Sequence, residues 1–372
     1  MKPESSANIR RAMTIRCAHL GIPSTGIFEL TPRCNLQCKM CYVRLTPEQM
    51  APLGTELSAA DWLRLGREAA DSGMLFLLLT GGEPTLRPDF PEIYEGLTQM
   101  GLSISINTNG TLLTPKIREL WHRLPPAQVN VTLYGSCRED YTALCANGDA
   151  FDRVVEGLDW LQSEGILTHL NTTITPLNLH HWQEIEDFAK DRGLELRMTA
   201  YCFPPARRSV CSSCTDFARL DPATAGELIV RDIYTREGPA GILHRAVNID
   251  TPIQNNCDLD LGEPMKCHAG RSQFWVNWNG SMSGCGMLNH PTVYPSEAGF
   301  SAAWEQLRQE ISGITLCPDC VTCPEQATCT NCAAVTYTET GRFSGKPEYL
   351  CQMNRAYREN LLSLAESLKK TD

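Results

Sequence analysis

Cys34, Cys38 and Cys41 stand at a Cys-x3-Cys-x2-Cys spacing, and an aromatic, Tyr42, follows at once. A [4Fe–4S] cube normally takes four thiolates. A short loop that offers three leaves one iron open to a substrate or cosubstrate, which separates a catalyst from an electron relay. Zinc is the competing ligand, but structural zinc sites close all four positions and usually draw on two C-x2–4-C knuckles. No second knuckle lies near this loop.

A second block of thiols lies toward the C-terminus. Cys320, Cys323, Cys329 and Cys332 form Cys-x2-Cys-x5-Cys-x2-Cys, with Cys317 just before and Cys351 after. Upstream are Cys257, Cys267 and Cys285; Asn279-Gly280, a strong hairpin turn, lies between the last two. A third group, Cys202, Cys211 and Cys214, lies at a proline-rich junction with Arg207 and Arg208. A Cys-x2-Cys without a partner pair is an incomplete knuckle, so these three read as free linker thiols, with an extra metal site or a radical-relay thiol as alternatives.

The elements that must carry these residues alternate. Strand-like runs (26–31, 75–80, 102–108, 128–134, 167–175 and 194–199) are separated by helical patterns at 56–71, 90–100, 115–124, 151–164 and 180–192. Such alternation indicates βα units on a parallel sheet, here six of them. The LFLLLT run at 75–80 suits a strand buried on both faces. Residues 1–24 read as a polar, irregular arm, 25–200 as the βα domain, and 201–250 as a bridge with a helix at 221–236. Residues 251–352 read as a cysteine-rich domain carrying a β-hairpin, and 353–372 as an amphipathic closing helix.

The strand ends hold further candidates. Gly81-Gly82-Glu83-Pro84 follows the second strand, Asn107-Thr108-Asn109-Gly110 ends the third, and Tyr134-Gly135-Ser136 ends the fourth. Two glycines permit close backbone approach to a ligand, and a carboxylate at Glu83 suits an ammonium group. Ligands of open α/β sheets bind at the carboxyl ends of the strands.

The CxxxCxxC loop with its aromatic, followed by GGEP, resembles the radical S-adenosylmethionine (SAM) superfamily. The resemblance implies an α/β fold, a partial (β/α)6 TIM-like barrel followed by a small cysteine-rich α+β auxiliary-cluster domain. It implies SAM chelated by the open iron of a cluster on Cys34, Cys38 and Cys41, and cleaved to methionine and a 5′-deoxyadenosyl radical. Glu83, with Gly81 and Gly82, would hold the SAM amino group. Tyr42, Asn107, Asn109, Ser136, Thr173 and Arg197 would lie along the rest of the ligand. The C-terminal thiols resemble a SPASM domain with two auxiliary [4Fe–4S] clusters, three clusters in all. Carried over residue by residue, the first uses Cys267, Cys285 and Cys332, with Cys257 or an open position fourth. The second uses Cys320, Cys323, Cys329 and Cys351. The last pair, Cys329 and Cys332, is one residue closer than the family pattern, so Cys317 is an alternative ligand.

Composition narrows the function. The chain has 372 residues, 18 of them cysteine, and a formal net charge of −10. That charge argues against a nucleic-acid backbone binder. The arginines near the N-terminus are followed by no apolar run of signal-peptide type, and no apolar run reaches the ~20 residues of a spanning helix. A cytoplasmic, oxygen-sensitive protein whose thiols bind metal is the expected class.

Members of the resembled family mostly oxidise ribosomally made peptides or protein side chains. The expectation is an oxidoreductase that modifies such a peptide, by thioether (sactipeptide or ranthipeptide type) or other crosslinking. It would draw electrons from a flavodoxin or ferredoxin. The lead before Cys34 is short for a leader-binding domain, so a separate leader-binding protein is the expected partner. Oxidation of a Cys or Ser to formylglycine, as in anaerobic sulfatase maturation, is the alternative. It would need an acid, for which Asp216, Asp221 and Asp258 are the nearby candidates; the catalytic residues are otherwise unassigned. A non-catalytic iron–sulfur or zinc scaffold is the alternative from another class. Three cubes predict about twelve irons and as many sulfides per anaerobically reconstituted chain, at four of each per cube; colorimetric analysis giving zinc and no sulfide would select a zinc scaffold, and deoxyadenosine release upon reduction would exclude a passive scaffold of either kind.

Overall fold

A computed structural model describes residues 3–204, 218–251, 267–288 and 290–370. Arg207, Arg208, Cys211, Cys214, Asp216, Cys257 and Asp258 lie outside the described residues. The N-terminal arm is not irregular: α1 runs from Pro3 to Leu20. Its sequence has no apolar residues at a sustained helical period, which is why the pattern hid it.

The βα alternation then follows. In order come β1 (Thr25–Glu29), α2 (Ala59–Asp71), β2 (Phe76–Thr80), α3 (Phe90–Gln99), β3 (Ser103–Thr108), α4 (Pro115–Arg123) and β4 (Gln128–Thr132). After these come α5 (Arg138–Cys145), α6 (Ala150–Ser163), β5 (Thr168–Thr173), α7 (Trp182–Asp191) and β6 (Glu195–Thr199). Local chemistry sets the starts. Ser58 and Asp61 form a capping box at α2, each side chain accepting the other's backbone N–H at 3.2 Å. Thr114 caps α4 and Pro115 occupies its first turn.

Strands β1 to β6 pair in parallel in sequence order, giving the partial (β/α)6 barrel. Ile104 and Ile106 of β3 turn into the helical layer. Asn107 pairs in register with Asn130, Asn130 with His169, and Asn171 with Arg197. Directly paired residues share a face, so the other face of the sheet is a polar stripe. The LFLLLT strand is less uniform than its sequence suggests: Leu77 and Leu79 are buried, Phe76 and Leu78 only half-buried.

The sheet continues past β1. β7 (Gln273–Val276), from the cysteine-rich segment, lies parallel on β1 with Thr25 opposite Gln273, and β8 (Met282–Ser283) closes an antiparallel hairpin. Phe274 links Phe28 on one side to Phe300 on the other, with ring centroids 6.4 and 4.8 Å away. Phe300 starts α9 (Phe300–Ser312), whose Trp304 donates to Gly21 O at 2.7 Å.

The bridge helix is longer than read. α8 runs Pro222–Val247, with a break at Gly238-Pro239. It packs along α11 (Glu348–Lys369) through Val230, Ile233 and Ile242 against Leu361 and Ala365. α10 (Ala333–Thr340) precedes α11. Between α8 and α10, Arg219 pairs with Glu339 and lies over the Tyr349 ring, 3.2 Å from its centroid. Among the described residues no helix is long and apolar enough to cross a membrane.

Glu186 on α7 is half-buried, where Asp232 of α8 faces it along with Thr235, Arg236 and Asp187. Burial, then the Asp232 charge, pushes its carboxyl from 4.5 up to about 7. The folded chain therefore binds a proton here that the unfolded chain releases between these values, so stability rises as pH falls from about 7 toward 4.5. Glu186→Gln is expected to raise the melting temperature at pH 8 and to leave it unchanged below about pH 4.5. Calorimetry showing an equal difference at both pH values would contradict this.

Candidate functional site

The cluster loop leaves β1 at Leu30, whose N–H bonds to Thr80 O at 2.8 Å, and rejoins regular structure near Leu45, whose N–H bonds to Pro32 O at 3.1 Å. Buried Arg87 holds its base, donating to Leu30 O at 2.8 Å and to Leu57 O at 2.9 Å. Arg33 grips Glu56 through two hydrogen bonds of 2.9 and 2.7 Å. The loop also rests on α5, since Gln37 N–H donates to Cys145 O at 3.2 Å and Lys39 N–H to Leu144 O at 2.9 Å.

Two backbone amides point at the sulfurs, Leu36 N–H at Cys34 Sγ (3.4 Å) and Arg44 N–H at Cys41 Sγ (3.2 Å). Sulfur-directed amides are among the levers that set cluster potentials. Burial pushes the Cys34 thiol up to about 12. Cys38 is pulled down, first by the S–H of Cys145, whose Sγ lies 3.6 Å away, against the effect of burial.

Gly81 and Gly82 do pack closely, but against this loop's own backbone. A Cβ at Gly81 would sit 2.5 Å from Thr31 O, and one at Gly82 2.3 Å from Arg33 O. Gly82 N–H and Glu83 N–H bond to Thr31 O and Arg33 O at 2.7 and 2.9 Å. The glycines thus seat the cluster loop on the end of β2.

Glu83 is fully buried, and burial raises its carboxyl. Thr85, Thr108 and the Asn109 N–H donate to it at 2.6, 2.9 and 2.8 Å. No Lys or Arg among the described residues pairs with it. Asn109 continues the chain of contacts, its Nδ2 reaching Asn35 Oδ1 at 2.9 Å and Cys34 Sγ at 3.6 Å. One network therefore joins Cys34, Glu83 and Asn109. A buried carboxylate without a counter-charge, beside three thiols on one loop, fits an ammonium-bearing ligand of an iron–sulfur cluster.

The remaining candidates spread along the strand ends. Asn107 accepts from Asn130 at 2.8 Å on the polar stripe. Arg197 lies on that stripe but is exposed and held by Glu195 at 2.9 Å. Thr173 ends β5, its carbonyl taken by Asn178 at 3.1 Å. Ser136 donates its N–H to buried Asp140 at 3.0 Å. Tyr42 lines a cavity of about 320 Å³.

That cavity lies between the cluster loop and the hairpin. Glu29 at the end of β1, Tyr42 and Leu45 form one wall; Trp278, His290 and Tyr294 form the other. The hairpin is pinned there by Asn279 Nδ2 on Leu53 O (2.8 Å) and by Leu57 N–H on Trp278 O (2.9 Å). The sequence reading missed Glu29, Trp278, His290 and Tyr294, because only the register of β7 on β1 brings them to the loop.

Cys320, Cys323, Cys329 and Cys351 line a second cavity, of about 90 Å³. Four thiolates around one small cavity fit a closed cluster. Burial pushes Cys320 up to about 12, and Asn331 Nδ2 donates to its Sγ at 3.5 Å. Cys317 is buried beside Cys320 and does not line the cavity. Cys267 and Cys285 stand on adjoining turns, where a Cβ at Gly284 would come within 3.2 Å of Gly270 N. Cys332 stands at the start of α10. Cys202 is buried near Arg219. Asp221 is committed to capping α8, accepting from Ala223 and Thr224 N–H at 3.1 and 3.0 Å.

Residues 28–190 match the Radical SAM superfamily. The AdoMet-dependent heme synthase of Methanosarcina barkeri is 26% identical over 346 residues, 88% of this chain and 96% of that protein. Among solved structures, Streptococcus suis SuiB bound to precursor peptide SuiA aligns with a TM-score of 0.67 at 18% identity, covering 93% of this chain and 80% of that one. Native anSMEcpe with bound AdoMet and Cp18Cys peptide aligns with a TM-score of 0.68 at 14% identity, covering 94% and 99%. At these identities the structural likeness concerns the fold.

Cys145 is the thiol no motif revealed. Removing a hydrogen-bond donor from a cluster thiolate leaves the sulfur more electron-rich, which favours the oxidised cluster. Cys145→Ala is expected to keep the iron content and to shift the potential of a cluster reconstituted on Cys34, Cys38 and Cys41 downward, by roughly tens of millivolts. Cys145→Ser, which retains a donor, should recover part of the shift. An unchanged midpoint in a redox titration followed by electron paramagnetic resonance would refute the role of this contact.

Proposed function

The chain carries a radical SAM domain, and from that premise we propose that it oxidatively modifies a ribosomally made peptide, with thioether or another crosslink as the product. The cavity between the cluster loop and the hairpin is the observation that carries this reading. Its volume of about 320 Å³ suits one inserted side chain rather than a folded partner. Glu29 contributes a carboxylate to its lining, and Tyr42, Trp278 and Tyr294 give it aromatic walls. The two peptide-bound structural neighbours support the same class of substrate.

In this reading Cys34, Cys38 and Cys41 hold a [4Fe–4S] cluster and Glu83 holds the SAM ammonium. The group so held would supply reductive SAM chemistry, and with it hydrogen-atom abstraction from the substrate. The protein's own part is orientation. Asn109 ties the Glu83 carboxylate to the Cys34 loop, and the glycine pair keeps strand and loop in contact. Asn107, Thr173 and Arg197, on one face of the sheet, and Ser136 at the end of β4 would bind the nucleoside and carboxylate portions. Cys320, Cys323, Cys329 and Cys351 hold one auxiliary cluster. Cys267, Cys285 and Cys332, with Cys257 or an open position, hold the other. A SPASM-type C-terminal domain in an anaerobic, cytoplasmic enzyme fed by flavodoxin or ferredoxin completes the proposal, with a separate leader-binding protein where the peptide requires one.

A second reading, action on a heme precursor, rests on the Methanosarcina barkeri relative, which aligns over nearly its whole length. The commitment of Asp221 to a helix cap removes one of the acids the formylglycine alternative would use.

Reduced with dithionite under anaerobic conditions, the wild type should release 5′-deoxyadenosine. The triple Cys→Ala variant at 34, 38 and 41 should release none. With a cysteine-bearing peptide encoded beside its gene, the wild type should give a product lighter by about two mass units, the loss of two hydrogens. A mass change on a porphyrin and none on any such peptide would overturn the first reading in favour of the second.

A further inference from the structure

Cys137, Asp140 and His181 come together outside the cluster sites. Their ligand atoms, one from each residue, all lie within 4.8 Å of one another. Cys137 is the residue before α5, and Asp140 lies in that helix's first turn. His181 comes from the turn after β5, so two neighbouring βα loops meet here. Asp140 is only 1% exposed. One of its oxygens accepts the Ser136 N–H at 3.0 Å, and the other lies 2.9 Å from His181 Nδ1. Cys137 Sγ lies 3.8 Å from the same ring nitrogen. A Cβ at Gly135 would fall 2.1 Å from Asp140, so the glycine lets the strand end close over the carboxylate.

The Asp140 carboxylate and the Cys137 sulfur thus both lie against one ring nitrogen. A dication meets all three at once. Tetrahedral zinc with bonds of about 2.0–2.3 Å separates its ligand atoms by roughly 3.3–3.5 Å, and the observed 2.9 and 3.8 Å bracket that spacing. Thiolate, carboxylate and neutral imidazole would balance the charge of a dication. One sulfur with nitrogen and oxygen donors suits zinc among the common divalent ions. His180, whose Nε2 lies 3.9 Å from the same Asp140 oxygen, is placed to supply the fourth ligand.

We propose that Cys137, Asp140 and His181 form a zinc site that staples the loop after β4 to the loop after β5, separate from the iron–sulfur centres. The site would fix the backbone around Ser136 through Asp140, at the strand ends where the polar stripe opens.

The test uses the full chain, reconstituted with iron and sulfide, exposed to zinc sulfate and desalted. The expected result is about one zinc per chain, one metal for one three-residue donor set. Its zinc-edge X-ray absorption should show one sulfur and two or three nitrogen or oxygen neighbours. Cys137→Ser/His181→Gln should lose that zinc while its iron content is unchanged. These two side chains are used because Asp140→Asn also disturbs the Ser136 contact and risks misfolding. Zinc absent from the wild type, a shell of four sulfurs, or equal zinc in the double variant would each overturn the proposal.

Discussion

The mouth of this barrel is organised by Glu83, a buried carboxyl group that no Lys or Arg among the described residues pairs with. Burying a carboxylate without a cation is costly, and the usual escape is to raise its pKa or surround it with donors. Glu83 shows both responses: burial raises its carboxyl, and Thr85, Thr108 and Asn109 turn donors toward it. These donors come from the ends of β2 and β3, so holding the charge also fixes the two strand ends relative to each other. Asn109 then extends the constraint to Cys34 through its side chain. The cluster loop is positioned by the same contacts that make Glu83 tolerable.

Much of this was legible in the sequence because parallel βα folds write themselves plainly. Strands of β-branched and aliphatic residues alternate with amphipathic helices, and the chemistry falls at strand ends. What periodicity could not show was proximity across the chain. Cys145 is 107 residues from Cys38, and only the docking of α5 beneath the cluster loop brings them within 3.6 Å. Its helix escaped notice because it is short and lies inside what reads as a single connection from β4 to α6. Cys137 and Asp140 were hidden for the same reason. The pairing of a thiol at the helix cap with a carboxylate in the first turn becomes visible once residues 138–145 are known to be helical. The four thiols around the smaller cavity were grouped only through the resemblance to a SPASM domain, because spacing alone pairs Cys329 with Cys332 and does not reach Cys351.

The partner of β7 was the least predictable feature and has the widest consequences. Alternation and an Asn-Gly turn indicate that a hairpin exists, but not which edge it joins. A barrel of six units does not close, so β1 presents an unpaired edge, and such edges must be covered or paired. β7 pairs with it in parallel over Thr25 to Phe28. The cysteine-rich segment therefore shares a sheet with the barrel, and Phe28, Phe274 and Phe300 place both in one apolar core.

This pairing also explains why the larger cavity lies where it does. β1 leads into the cluster loop and β7 leads into the hairpin turn, and parallel strands deliver both connections to the same end of the sheet. Trp278 and Asn279 are then held to Leu57 and Leu53 by backbone-directed hydrogen bonds. The walls of the cavity come from residues more than two hundred positions apart, yet their separation is set by one strand spacing, about 4.8 Å. A rearrangement of the hairpin would have to break strand pairing as well as loop contacts. The geometry between the three-cysteine loop and the opposite wall is accordingly a property of the sheet, and side chains alone decide what the cavity admits.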